Sequence, residues 1–149
     1  MEVELPKYVK ILNPTDSSKA SELATLQAIY LAKLSGAELM PIFVVDDSLA
    51  RAAGISGPIA VEQLTRKGQT ILSSVKELAE RSGVVVTPLL VKGQTAVTIL
   101  DIARAQGASL IVMGATAFSE IDRLLAHPIS VSEKVLRDAP CPVLVVRGS

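Results

Sequence analysis

The sequence predicts a single α/β domain built on a parallel sheet, and two observations carry that prediction. Apolar residues make up 49% of the 149-residue chain while aromatics make up only 3%, so the core has to be assembled from Val, Ile, Leu and Ala, the material of buried parallel strands. Short apolar runs also alternate with segments of helical period along the whole length, as repeated βα units do. The length suits one domain, read here as 1–149.

Tyr8 to Leu12 reads as the first strand, and the turn-prone run Asn13 to Ser18 leads into a helix with Leu23, Leu26, Tyr30 and Leu34 on one face. Gly36 ends that helix. Leu39 to Val45 is the second strand, weakened in its first half by Pro41, which cannot donate to a ladder. Asp46 to Pro58 lacks a period and reads as a mobile loop. Val61, Leu64, Gly68, Ile71, Val75 and Leu78 mark the longest helix. Val84 to Val91 is the third strand, and Pro88 suits an edge where an N–H would face solvent. A helix with Ala96, Ile99, Leu100 and Ala103 on its buried stripe stops at Gly107, and the fully apolar Leu110 to Met113 is a strand flanked on both sides. Ser130 and Glu133 form a capping box that starts the last helix, and Pro142 to Val146 is the final strand.

Composition narrows the function. Fifteen Lys and Arg balance fifteen Asp and Glu, so no net field draws the chain to nucleic acid or to an anionic membrane. No apolar run approaches the roughly 20 residues that span a bilayer, and the N-terminus lacks a signal-peptide pattern, which together predict a cytoplasmic protein. One cysteine, Cys141, and one histidine, His127, leave no disulfide framework and no ordinary zinc site; Cys141 reads as packing and His127 as surface.

In a sheet of this kind ligands bind beyond the carboxyl ends of the strands where strand order reverses. Pro14-Thr15-Asp16, Val44-Val45-Asp46 and Met113-Gly114 would meet there. Three pieces of the chain, in their order and spacing, resemble the universal stress protein family: Pro14 to Ser18 after the first strand, Val91-Lys92-Gly93 with a helix to Ile111-Val112-Met113-Gly114, and Ser130 to Leu136 leading to Ala139-Pro140-Cys141-Pro142 and the last strand. The resemblance implies a Rossmann-like sheet of order 3-2-1-4-5, of the adenine nucleotide alpha hydrolase-like type, with helices on both faces. It implies a homodimer paired along Pro142 to Val146, acting on a protein partner whose identity the sequence does not give. In many members it implies one ATP or other adenine nucleotide per subunit. On that resemblance Pro14, Thr15, Asp16, Val44, Met113, Gly114, Ser130, Val131 and Ser132 are the nucleotide-binding candidates, with Asp16 near the nucleoside and the backbone of Val44 on the adenine. An Asx-turn or helix cap is an equal reading of Asp16.

The resemblance also implies a phosphate loop, G-x2-G-x9-G-[ST], after the fourth strand, and here the chain departs from it. Gly114 matches the first glycine, but the second falls at Ala117, and nine further residues lead to His127-Pro128. Aligned instead on Ser130, the third glycine becomes Ile129 and the loop is two residues too long. Glycines there allow peptide N–H groups to close around phosphate oxygens, and Pro128 has no N–H to offer. Arg123 is the one base near the loop and reads as a solvated helix residue. The sequence therefore predicts a non-enzymatic, dimeric stress-response module with weak or absent nucleotide binding, against an alternative in which the site still senses ATP, ADP or AMP. A slow ATPase is a third reading. A response regulator needs an acidic pair after the first strand and an aspartate ending the third, and a flavodoxin needs stacking aromatics; neither pattern is present.

Overall fold

The computed structural model describes residues 2–115 and 130–148. Strands β1 (Lys10–Pro14), β2 (Glu38–Val45), β3 (Leu89–Lys92), β4 (Leu110–Gly114) and β5 (Val143–Val146) form one parallel sheet of order 3-2-1-4-5. Helices α1 (Lys19–Ser35), α2 (Ser48–Ala52), α3 (Gly57–Arg81), α4 (Thr95–Gln106) and α5 (Val131–Asp138) connect and cover it.

The period of the strands sorts the core into two layers. Ile11, Leu39 and Leu110 pack with Ala24, Ala28 and Ala32 of α1 and Val75 and Ala79 of α3. Their sequence neighbours Leu12, Met40 and Ile111 pack on the other face with Ile99, Leu100 and Ala103 of α4 and Val135 of α5. Right-handed crossovers require this division: the chain runs outward from β1 to β3 beneath α1 and α3, then reverses to β4 and β5 beneath α4 and α5.

Strand β1 begins and ends two residues later than the sequence suggests, taking in Asn13 and Pro14. Asn13 stays in the strand because its amide is satisfied while fully buried: it donates to the Val112 carbonyl at 2.9 Å and accepts from the Thr25 hydroxyl at 2.9 Å. The two prolines behave oppositely. Residues 87 and 93 donate toward β2, so Pro88 turns its nitrogen to the outer edge, and β3 is an edge strand as expected. Leu39 and Val45 face β3, so Pro41 faces it too and removes a donor from that ladder. The β2–β3 pairing is accordingly split into a bridge at Leu39 and Val86 and the run from Ile42 to Val45, and the expected strand from Val84 is ordered as a ladder only from Leu89.

Two expectations are corrected. The segment from Asp46 to Pro58 contains helix α2. In α1 the stripe Leu26, Tyr30, Leu34 shares one face, but that face points outward, the three being 51%, 61% and 71% exposed. The small residues of the opposite side face the sheet, because only they let the helix lie close to β4. At its start α1 passes so near Gly114 that a Cβ there would sit 2.6 Å from Ala20 C and Ser21 N.

Candidate functional site

The carboxyl ends of β1, β2 and β4 open a cleft of about 310 Å³ at the point where strand order reverses. Pro14, Thr15 and Asp16 line one side, Met113 and Gly114 the floor, Val44 and Asp46 the other side, and Val131 of α5, Ile99 of α4 and Leu64 and Lys67 of α3 close around it. Of the sequence candidates, Ser130 and Ser132 stand beside the cleft at the start of α5. There Ser130 caps the helix, its hydroxyl accepting the Glu133 N–H at 3.2 Å and lying 3.2 Å from the Ser132 hydroxyl. Ala117, Arg123, His127, Pro128 and Ile129 lie outside the described residues.

The β1 wall is rigid by construction. Thr15 donates both its N–H, at 2.8 Å, and its hydroxyl, at 3.0 Å, to the carbonyl of Ile42, carrying the ladder one residue past the strand. Asp16 is exposed, and its carboxylate accepts the Ser18 N–H at 2.7 Å, the Asx-turn that its sequence position allowed. Its own N–H donates to the Ser21 hydroxyl at 2.9 Å. One carboxylate oxygen thus shapes the entry to α1.

Asp46 was read as part of a converging segment and not as a site residue, and it turns out to be the most constrained acid of the cleft. One oxygen accepts the N–H and hydroxyl of Ser48 at 3.1 and 2.6 Å, and the other accepts the N–H and hydroxyl of Thr95 at 2.9 and 2.8 Å. Burial alone pushes this carboxyl up, but the four hydrogen bonds outweigh it and hold Asp46 below the usual aspartate range. Asp16 and Asp46 thus both line the cleft, where their two segments were expected to meet. A carboxylate with four donors fixed on it is a poor proton carrier, so Asp46 holds the walls of the cleft together rather than moving protons. Lys67 is exposed, lines the cleft and makes no ion pair with a described residue. Cys141 is half-buried away from the cleft, and burial pushes its thiol up. No described helix is long and apolar enough to cross a membrane.

A doubly wound parallel sheet with its cleft at the β1/β4 reversal defines a Rossmann-like α/β protein. Within that class, the profile of the universal stress protein family matches residues 7–147, and the chain belongs to this family of stress-response proteins. It is 40% identical over 142 residues to a universal stress protein of Methanocaldococcus jannaschii, the match covering 94% of this chain and 82% of the relative. A universal stress protein family structure from Burkholderia pseudomallei superposes with a TM-score of 0.74 at 33% identity, covering 93% of this chain and 96% of that one. A universal stress protein solved in complex with cAMP superposes with a TM-score of 0.72 over 97% of this chain and all of its own length (100%), and at 23% identity the likeness concerns the fold.

Proposed function

We propose that the chain is a dimeric, non-catalytic stress-response module whose switch-point cleft takes the nucleoside end of an adenine nucleotide, with little contribution from the phosphates. The observation that supports this reading is the convergence of Asp16, Val44, Met113 and Gly114 on one cleft, set against a loop sequence that lacks the family's glycines at Ala117 and Ile129. At about 310 Å³ the cleft is at the small end of the ~300–1,000 Å³ range of ligand sites. Asp16 has a carboxylate oxygen beyond the one in its turn that can accept a ribose hydroxyl, and the end of β2 offers peptide groups to a base edge. Held as an anion, Asp46 places negative charge on the Val44 side of the cleft, which favours donor groups there and disfavours phosphate.

Isothermal titration of adenosine, AMP and Mg-ATP tests the reading. The expected dissociation constants are about 0.1 mM or weaker, near −5.5 kcal/mol, and agree with one another within about threefold because the phosphates add little. Micromolar Mg-ATP binding with weak adenosine binding overturns it in favour of the second reading, a nucleotide sensor with a working phosphate cradle. That alternative draws support from the cAMP-bound structure of the same fold.

A further inference from the structure

Helix α1 is apolar on two opposite sides. At 100° per residue, Leu26, Tyr30 and Leu34 stand across the helix axis from the buried Ala24, Ala28 and Ala32. A helix with one face on a core ordinarily gives its other face to charge. Single exposed leucines are common on protein surfaces, but three large apolar side chains on successive turns form a continuous patch of the kind that marks an interface.

We infer that this stripe docks a second copy of the chain as an antiparallel helix pair across a two-fold axis near Ala28. Two features select a second copy as the occupant. With the half-buried Leu23, which lies on the same face, the stripe runs evenly about the axis: Leu26 and Tyr30 lie two residues to either side of residue 28, and Leu23 and Leu34 five before and six after it, so the two-fold sets Leu26 against Tyr30 of the partner subunit and Leu23 against Leu34 of the partner subunit, and the reverse contacts follow by symmetry. The flanking charges are also self-complementary. Glu22 and Lys33 lie on the same flank, six residues before and five residues after the axis residue. A two-fold perpendicular to the helix keeps each flank with its own counterpart, which brings Glu22 beside Lys33 of the partner subunit in two equivalent places. A parallel pairing would instead carry each flank to the opposite side and leave Glu22 about 16 Å along the axis from Lys33 of the partner subunit, with no charge partner there. Lys33 makes no ion pair with any described residue, and Glu22 makes one exposed contact with Lys19 at 3.8 Å.

Size sets the strength of this contact. A helix of 17 residues is about 25 Å long and about 10 Å across, so α1 alone gives about 500 Å² for the pair, half of the roughly 1,000 Å² of a stable interface. Leu78 of α3, 41% exposed, shares a groove with Leu26 and widens the patch. The association is thus reversible and concentration-dependent. It lies on the face of the sheet covered by α1 and α3, and not on the β5 edge, so a chain using both contacts joins dimers into tetramers.

Sedimentation equilibrium tests this on the wild-type chain between about 10 and 500 µM, a range bracketing an interface of this size. The expected mass doubles across it. Leu26→Glu abolishes the doubling, with a circular dichroism melt showing the fold intact because the position is exposed. Glu22→Lys and Lys33→Glu each weaken association about fivefold, and the double swap restores it. Constant mass, indifference to Leu26→Glu, or a double swap that fails to restore association each overturns the proposal. If the β5 contact fails, the mass at low concentration is that of one chain, an outcome distinct from the loss of doubling.

Discussion

Asp46 and Thr95 stand 49 positions apart in sequence, and a carboxylate oxygen of the first caps the helix that starts at the second, accepting its N–H at 2.9 Å and its hydroxyl at 2.8 Å. Gln94, at the capping position of α4, contributes no side-chain bond of its own. The end of β2 thus supplies what the local sequence of α4 lacks, and two walls of the cleft are tied together by one side chain.

Asp46→Ala is expected to lower the unfolding free energy by about 1–2 kcal/mol, the usual cost of a lost cap, measured by urea denaturation at pH 7. The pH dependence has a definite sign. The folded-state pKa of Asp46 is depressed, so its contribution is fully present above the unfolded-state value, near 3.9, and is lost as pH falls through the lower folded value. The gap between wild type and variant should hold constant from pH 7 to about 5 and narrow below about 4. A gap that widens on acidification contradicts the assignment.

Gly114→Ala is expected to destabilise the chain by about 2–3 kcal/mol, because the added methyl meets backbone atoms of Ala20 and Ser21 that cannot give way without moving α1. Gly57→Ala is the matching control. A Cβ there finds nothing nearer than Asp47 at 3.6 Å, so the change should be neutral or stabilise by about 0.5 kcal/mol. Equal melting shifts for the two variants would show that loss of backbone freedom, and not close approach, explains Gly114.

Much of this architecture was legible because it rests on local rules. The α4 stripe of Ala96, Ile99, Leu100 and Ala103 is buried as its period requires, and Gly36 and the Ser130 cap stand where capping chemistry puts them. Periodicity misled at α1, where two faces qualify and only tertiary packing chooses the alanine side. The role of Asp46 was illegible for a different reason: its partner Thr95 comes from another βα unit, and no spacing along the chain encodes that meeting. Asp16 makes the turn that one of its two sequence readings gave it, and it also lines the cleft.

The free edge of β5 gives a sharper dimer test than its composition alone suggests. Ile111 donates to Pro142 and Ala115 to Val146, so even-numbered residues of β5 face β4 and Val143 and Val145 face outward. Val145→Pro should therefore abolish dimer formation in light scattering while the chain stays folded, since it removes only an outward donor. Leu144→Pro should instead cut the β4 ladder and lower stability by about 3 kcal/mol. A wild-type chain that is monomeric at tens of micromolar, about the range for a modest interface, would remove the β5 edge from consideration.

The last prediction separates the two sides of the cleft. Asp16, Val44, Met113 and Gly114 come together in the cleft, on the side proposed for the nucleoside, whereas the departures from the family's loop all fall between Gly114 and Ser130. Changing Ala117 to Gly, deleting His127 and Pro128, and changing Ile129 to Gly restores the family spacing with Ser130 as the terminal hydroxyl. Ser130 keeps its place as the cap of α5 in this variant, so the helix start remains available beside the phosphates. Each recovered charge-assisted hydrogen bond contributes about 1.5–3 kcal/mol, so two of them raise Mg-ATP affinity at least about a hundredfold while leaving adenosine affinity unchanged. Adding Asp16→Asn to the rebuilt chain preserves the acceptor of the Asx-turn yet removes the charge offered to the ribose, so it should weaken both ligands equally. Calorimetry on the six combinations of the three chains with the two ligands decides the matter: if the rebuilt chain folds, binds Mg-ATP no better than wild type and shows no adenosine binding, the cleft does not hold a nucleoside, and the module acts through its protein surfaces alone.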